Sequence, residues 1–287
     1  MCMEESMALQ EEKVDRIRQC LAQDSVDLWR LRELALTRGG LVNGRFPYSN
    51  VGYRSKESLM LLLCVCVCFA LRTAEMRRAA WHLLVGLDRI DPCQRTSFSL
   101  NEQELDLIRR DANRSVLFRY YHKRRIADDT TPESTTAHRD YFSHDRQQEQ
   151  QQQLATILSS ALSSGGGTKH KKLHYYQGLQ DIAGVLLYNL QDTDHACAVL
   201  QRLCRLHLRD ALREDLTNWM WLLDTVLLPI LHSLDPELHD YLLHSGLECS
   251  NAILPWLITW FTHDIHDEHV ASRLMDVLLS SHALFSL

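Results

Sequence analysis

The chain is predicted to be all-α, and two observations carry that prediction. Apolar residues recur at three-and-four spacing in segment after segment, as they do in helices that bury one face. No alternating series of comparable length competes with them, so strands have little support. Size adds a bound: 287 residues, 45% of them hydrophobic and 24% charged, can bury a full core as one large domain or two modest ones.

The elements follow in chain order. From Val14 to Leu36 the apolar positions Val14, Ile17, Leu21, Leu28, Leu31 and Ala35 keep helical spacing. Asp24-Ser25 can divide this stretch into two short helices, and Gly39-Gly40 supplies a stop. The run from Leu59 to Leu71 is apolar throughout but shorter than the roughly 20 residues that span a bilayer, which favours a buried helix. Cys64, Cys66 and Cys68 within it alternate and would share a face only in a strand, whereas thiolate metal sites come as spaced pairs.

Asp128 to Lys172 opens and closes like a linker, with Asp128-Asp129-Thr130-Thr131-Pro132 at one end and Ser163 to Thr168 at the other. Between them Leu154, Ile157, Leu158 and Ala161 mark one amphipathic helix behind a glutamine-rich approach. Gly165-Gly166-Gly167 lacks the lysine and the preceding strand of a phosphate cradle and is expected to be a loop. Further helices are predicted over Ile182 to Leu190, Ala196 to Leu208, Trp219 to Leu234 and Ile253 to Phe261. Asp235-Pro236 has the form of an N-cap followed by a first-turn proline, opening a short helix through Leu243.

Composition narrows the partners. Lys and Arg total 31 against 37 Asp and Glu, a formal charge of −6, so no basic surface advertises nucleic acid or an anionic membrane. The nine cysteines lack paired spacing and the start, Met1-Cys2-Met3-Glu4-Glu5, is acidic, which together suggest a reducing cytosolic compartment. The sequon Asn113-Arg114-Ser115 would matter only in a secreted chain.

Five blocks in order resemble one family. Arg77, Trp81 and Gly86 fit an R-x-x-x-W-x-x-L-L-x-G opening. Ile108, Asp111 and Arg114 fit I-x-x-D-x-x-R, with Ser115 where Thr is usual. Tyr176-Gln177-Gly178 fits Y-Q-G. Trp256 to Phe261 resembles W-x-x-T-x-F, with Pro255 in place of a small residue, and Arg273 to Asp276 resembles R-x-x-D. Together they resemble the TBC domain of Rab GTPase-activating proteins, over residues 74–287. The resemblance implies a multi-helical TBC-type fold, preceded by an N-terminal helical segment at 1–43 and by 44–73, either a buried hairpin or an insertion foreign to the family pattern. It also implies further helices beyond Leu287 and a membrane anchor after them, so the domain is expected to be C-terminally incomplete, with no membrane span in this chain.

What the resemblance implies about chemistry is an activity supplied in trans. Arg114 would be an arginine finger neutralising charge on the transferring phosphoryl group, and Gln177 would hold the attacking water. Asp111, three residues before Arg114 and expected on the same helical face, would orient the guanidinium, with Tyr176 and Gly178 supporting Gln177. The chain would have no cofactor of its own, since the partner Rab carries GTP and Mg2+, and would not itself hydrolyse nucleotide. Leu173 to Gly178, Pro236 to Asp240 and Trp256 to Phe261 resemble a narrower subgroup that acts on early-secretory Rabs of the Rab-one type, between endoplasmic reticulum and Golgi. The alternative is a TBC-like module that, because its domain is expected to be cut short, binds a Rab or serves as a scaffold without accelerating hydrolysis.

Blander readings accompany each residue. Arg114 in so basic a segment can be a solvated face, and Gln177 beside two tyrosines can simply pack at a helix start. Trp81, Trp219, Trp256 and Trp260 sit in apolar stretches and are expected in the core. His263, His266 and His269 drift about 120° around a helix, which disfavours a shared metal and leaves a partly exposed helix end.

Overall fold

The computed structural model describes residues 2–23, 27–36, 75–90, 92, 100–121, 144–163, 172–245 and 249–281. Among these every element is helical, so the all-α expectation holds. The apolar run at 59–71, its cysteines, the rest of 44–73 and Gly165 to Gly167 lie outside the described residues.

The chain divides into two units, the first comprising 1–89 with Ser272–His282. It contains α1 (Cys2–Leu21), α2 (Leu28–Leu36), α3 (75–84) and the larger part of α13 (Glu268–Ser280). Helix α1 starts well before Val14 and stops at Leu21, so the break foreseen at Asp24-Ser25 begins slightly earlier. Val14, Ile17, Leu31 and Ala35 are buried, as the spacing requires, with Leu34 beside them, whereas Leu21 and Leu28 at the helix ends are half-buried.

Gly86 ends α3 with φ 76°, its N–H bonding Leu83 O at 2.9 Å while Leu87 N–H reaches back to His82 O at 2.9 Å. That pairing is a Schellman cap, which needs a left-handed residue and explains the glycine closing the R-x-x-x-W motif. Arg77 and Trp81, one turn apart on α3, both point at Asp276 of α13. Arg77 grips its carboxylate with Nε at 3.1 Å and Nη2 at 3.0 Å, and Trp81 Nε1 donates at 2.9 Å. Asp276 is fully buried and Arg77 nearly so, a charge pair that interior packing tolerates only because every partner is present. Arg273, one turn earlier, caps the end of α2 by donating to Ala35 O at 2.6 Å and Leu36 O at 2.9 Å. The first and last blocks of the sequence pattern are therefore one buried network.

The second unit comprises 90–271 with 283–287. Its helices are α4 (Glu102–Ala112), α5 (116–121), α6 (His144–Ser163), α7 (Leu179–Leu190), α8 (Thr193–Arg205), α9 (Thr217–Leu222), a π turn (Leu223–Leu227), α10 (Leu228–Leu234), α11 (Pro236–His244) and α12 (Cys249–Ile258). Helix α7 is buried on nearly every face, with Tyr188 its least buried residue, and forms the centre of this unit. Helix α6 packs on α4, α7 and α8 through Leu154, Ile157, Leu158 and Ala161, and the glutamine-rich approach is part of the same helix. The single helix expected over Trp219 to Leu234 is instead interrupted by the π turn ahead of Pro229. Asp235 caps α11 as expected, its carboxylate accepting from Leu238 N–H at 2.9 Å.

Candidate functional site

Arg114 and Gln177 both belong to the second unit, on turns beside α4 and α7. Helix α4 opens with a capping box: Asn101 Oδ1 accepts from Glu104 N–H at 2.7 Å and Glu104 Oε2 accepts from Asn101 N–H at 3.0 Å. It ends at Ala112, so Arg114 lies in the turn just beyond the helix and not on its face. The three-residue spacing to Asp111 survives because that turn stays right-handed, with Arg114 N–H bonding Asp111 O at 3.1 Å. The guanidinium meets Asp111 Oδ1 through Nε at 3.0 Å and also through Nη2. Its side chain is 57% exposed while Asp111 is completely buried, so a buried carboxylate holds the base of an outward-reaching cation. The donors left over on the guanidinium remain available to an incoming group.

The other oxygen of Asp111 accepts from Tyr175 Oη at 2.9 Å. That hydroxyl also lies 2.9 Å from Gln180 Oε1, which in turn accepts from Gly178 N–H at 2.7 Å. Burial first, and then the charge of Asp111, push the Tyr175 phenol far above its ordinary range, so it stays a protonated donor. Asp111 thus links the turn of Arg114 to the segment that leads into Gln177.

Gln177 itself is exposed, and among the described residues its side chain makes no hydrogen bond. Its neighbours fix the loop beneath it. Tyr176 is buried and donates to Ile258 O at 2.7 Å, while His174 N–H bonds Leu212 O at 2.9 Å. Gly178 has φ 120°, and a Cβ there would stand 2.7 Å from Thr259 Cγ2, so the motif needs glycine for both backbone freedom and space. Thr259 and Ile258 belong to the W-x-x-T-x-F block, which therefore forms the floor of the Gln177 loop.

Two residues overlooked in the sequence tie the halves together. Asp181 Oδ1 accepts the first N–H of α5, from Val116, at 2.9 Å, and Asp181 Oδ2 lies 2.7 Å from His263 Nδ1. Ser115 Oγ donates to Gln180 O at 3.1 Å, and Gly184 leaves room for it, because a Cβ there would come within 2.5 Å of that oxygen. Gln180 and Asp181 thus hold the residues immediately behind both Arg114 and Gln177. The polar pair after Y-Q-G, at the head of an apolar helix, is the one sequence signal that could have singled them out.

Other expectations are corrected. Trp81, Trp219 and Trp260 are buried, but Trp256 is 46% exposed. Leu257 and Ile258 take the inward face of α12, leaving Trp256 to stack on Phe261 with ring centroids 6.2 Å apart. His263 and His266 are not helical, because α12 ends at Ile258 and α13 begins at Glu268. His263 is bound to Asp181 and His266 lies 3.1 Å from Arg119, so they do not converge on one ion.

The described residues thus form an all-helical fold in which the turn of Arg114 and the approach to Gln177 are linked through the buried pair Asp111 and Tyr175. The chain belongs to the Rab-GTPase-TBC domain family, whose model matches residues 74–287. It is similar to the GTPase-activating protein gyp10 of Schizosaccharomyces pombe, 40% identical over 115 residues, which is 40% of this chain and 30% of that protein. It is likewise similar to TBC1 domain family member 20 of Bos taurus and of Homo sapiens, 36% and 35% identical over 116 residues, covering 40% of this chain and 28% of each relative. The matched segment thus spans less than a third of these relatives' length.

Proposed function

We propose that this chain accelerates GTP hydrolysis on a Rab-family small GTPase, supplying Arg114 and Gln177 in trans. The observation that carries the reading is the carboxylate of Asp111, which accepts Arg114 on one oxygen and Tyr175, two residues from Gln177, on the other. Pre-positioned donors lower a barrier because they need no reorganisation as charge develops. Arg114 would place its remaining donors on the phosphoryl oxygens, and Gln177 would align the attacking water through its amide. GTP and Mg2+ come with the partner, and the chain contributes no cofactor. The relative in Schizosaccharomyces pombe that bears the name GTPase-activating protein supports the same reading.

The partner is proposed to be an early-secretory Rab of the Rab-one type, met at the surface of the endoplasmic reticulum or early Golgi. Support comes from the resemblance of Leu173 to Gly178, Pro236 to Asp240 and Trp256 to Phe261 to that subgroup.

The test is single-turnover GTP hydrolysis by a panel of purified Rabs with and without the chain. Arg114→Ala and Gln177→Ala are each expected to lower kcat/KM for the best Rab by about 10² or more, with the fold unchanged by circular dichroism. Near-full stimulation by both variants would refute the finger roles. Binding of a GTP-loaded Rab without stimulation by the parent chain would favour a binding module instead.

A further inference from the structure

Two imidazoles and a carboxylate converge where α10 hands over to α11. His232 lies in the last turn of α10, whereas His239 and Asp240 lie on α11. The tight connection through Asp235 and Pro236 brings the second helix back against the first, so the rings of His232 and His239 meet edge to face with centroids 4.7 Å apart. His239 Nδ1 is 3.1 Å from Asp240 Oδ1. One nitrogen from each histidine and one carboxylate oxygen all fall within 4.8 Å of one another.

We propose that His232, His239 and Asp240 bind a divalent transition-metal ion of the zinc type, with water completing the coordination. Two neutral imidazoles and one carboxylate suit zinc, whereas calcium and magnesium demand sites built from oxygen. Tetrahedral zinc with ligand bonds of about 2.0–2.1 Å places its ligand atoms about 3.4 Å apart. The side-chain torsions of His232 and Asp240, both exposed, supply the small closure that requires, and the same exposure gives the ion its entry path. The ion would have work to do there. Helices of 7 and 9 residues are too short to be stable alone, and neither α10 nor α11 has a buried residue. A ligand set drawn from both would staple the pair together.

Zinc chloride is titrated calorimetrically into the full chain in a non-thiol reductant, and cobalt chloride serves as the spectroscopic probe. One zinc equivalent per chain is expected, with a rise in Tm. His232→Ala and His239→Ala should each weaken that equivalent by at least about tenfold, Asp240→Asn should weaken it too, and His269→Ala should leave it intact. Undiminished binding in the His232→Ala/His239→Ala double variant would overturn the proposal. So would a thiolate-to-cobalt charge-transfer band from that equivalent, which would assign it to cysteine.

Discussion

Tyr175 shows how much one hydroxyl can be asked to do. It is buried, it bonds the carboxylate that steadies Arg114, and it precedes Gln177 by two residues. Tyr175→Phe keeps the ring and removes the hydroxyl that faces both Asp111 and Gln180, so Asp111 would hold the guanidinium with one oxygen unsatisfied. On the proposed function, the expected result is a loss of about tenfold in the kcat of GTP hydrolysis by the Rab that the chain stimulates, equivalent to about 1.4 kcal/mol of barrier, with KM little changed. A parallel fall in stability of about 1–3 kcal/mol follows from leaving a buried acceptor unpaired. A variant with unaltered kcat at full occupancy would remove Tyr175 from the positioning network. None of this was legible locally: the sequence motif emphasises Tyr176, whereas the bond to Asp111 crosses 64 residues and depends on how α4 and α7 pack.

Elements were legible where periodicity and capping chemistry decide them. The inward face of α6 and the cap at Asp235 follow directly from residue spacing and type. The end of α12 does not, because Trp260 and Phe261 take φ of 51° and 60° without any glycine to announce the turn. Packing overrides local preference there: Trp260 is buried edge-on against His207 with centroids 5.8 Å apart. Trp256 departs from the core expectation for a related reason, since a short helix with apolar residues on both faces does not say which one the core takes. Asp235→Ala tests the capping account at its own scale. Loss of the bond to Leu238 N–H should cost about 1 kcal/mol and raise amide exchange in α11 before it affects α7. Uniform exchange across both helices would show that α11 does not open on its own.

Across the whole molecule, alkaline pH should reveal two opposed groups of titrating residues. Burial, reinforced by Arg273, lowers the Lys13 ammonium to about 8 from an ordinary value of 10.5. Between those values the unfolded chain keeps a proton that the folded chain has released, so this contribution makes stability rise with pH. Burial raises Tyr120, Tyr175 and Tyr176 above their ordinary value of 10, so the stability they allow is present below pH 10 and lost as pH climbs beyond it. Lys13→Met isolates the first group. It should melt above the parent at pH 7, and the gap should shrink steadily towards pH 10.5. A gap independent of pH would mean that the ammonium is not strained by its surroundings.

The buried pairing of Arg77 with Asp276 also sets an order of events during synthesis. The two residues are 199 positions apart, so at roughly 5–20 residues per second Arg77 waits about 10 to 40 s on the ribosome for its carboxylate to be made. Over that interval α3 cannot bury its guanidinium without leaving a charge uncompensated, and the first unit has no finished interior to fold around. Helix α3, made well before α13, therefore settles only once that later helix has been translated.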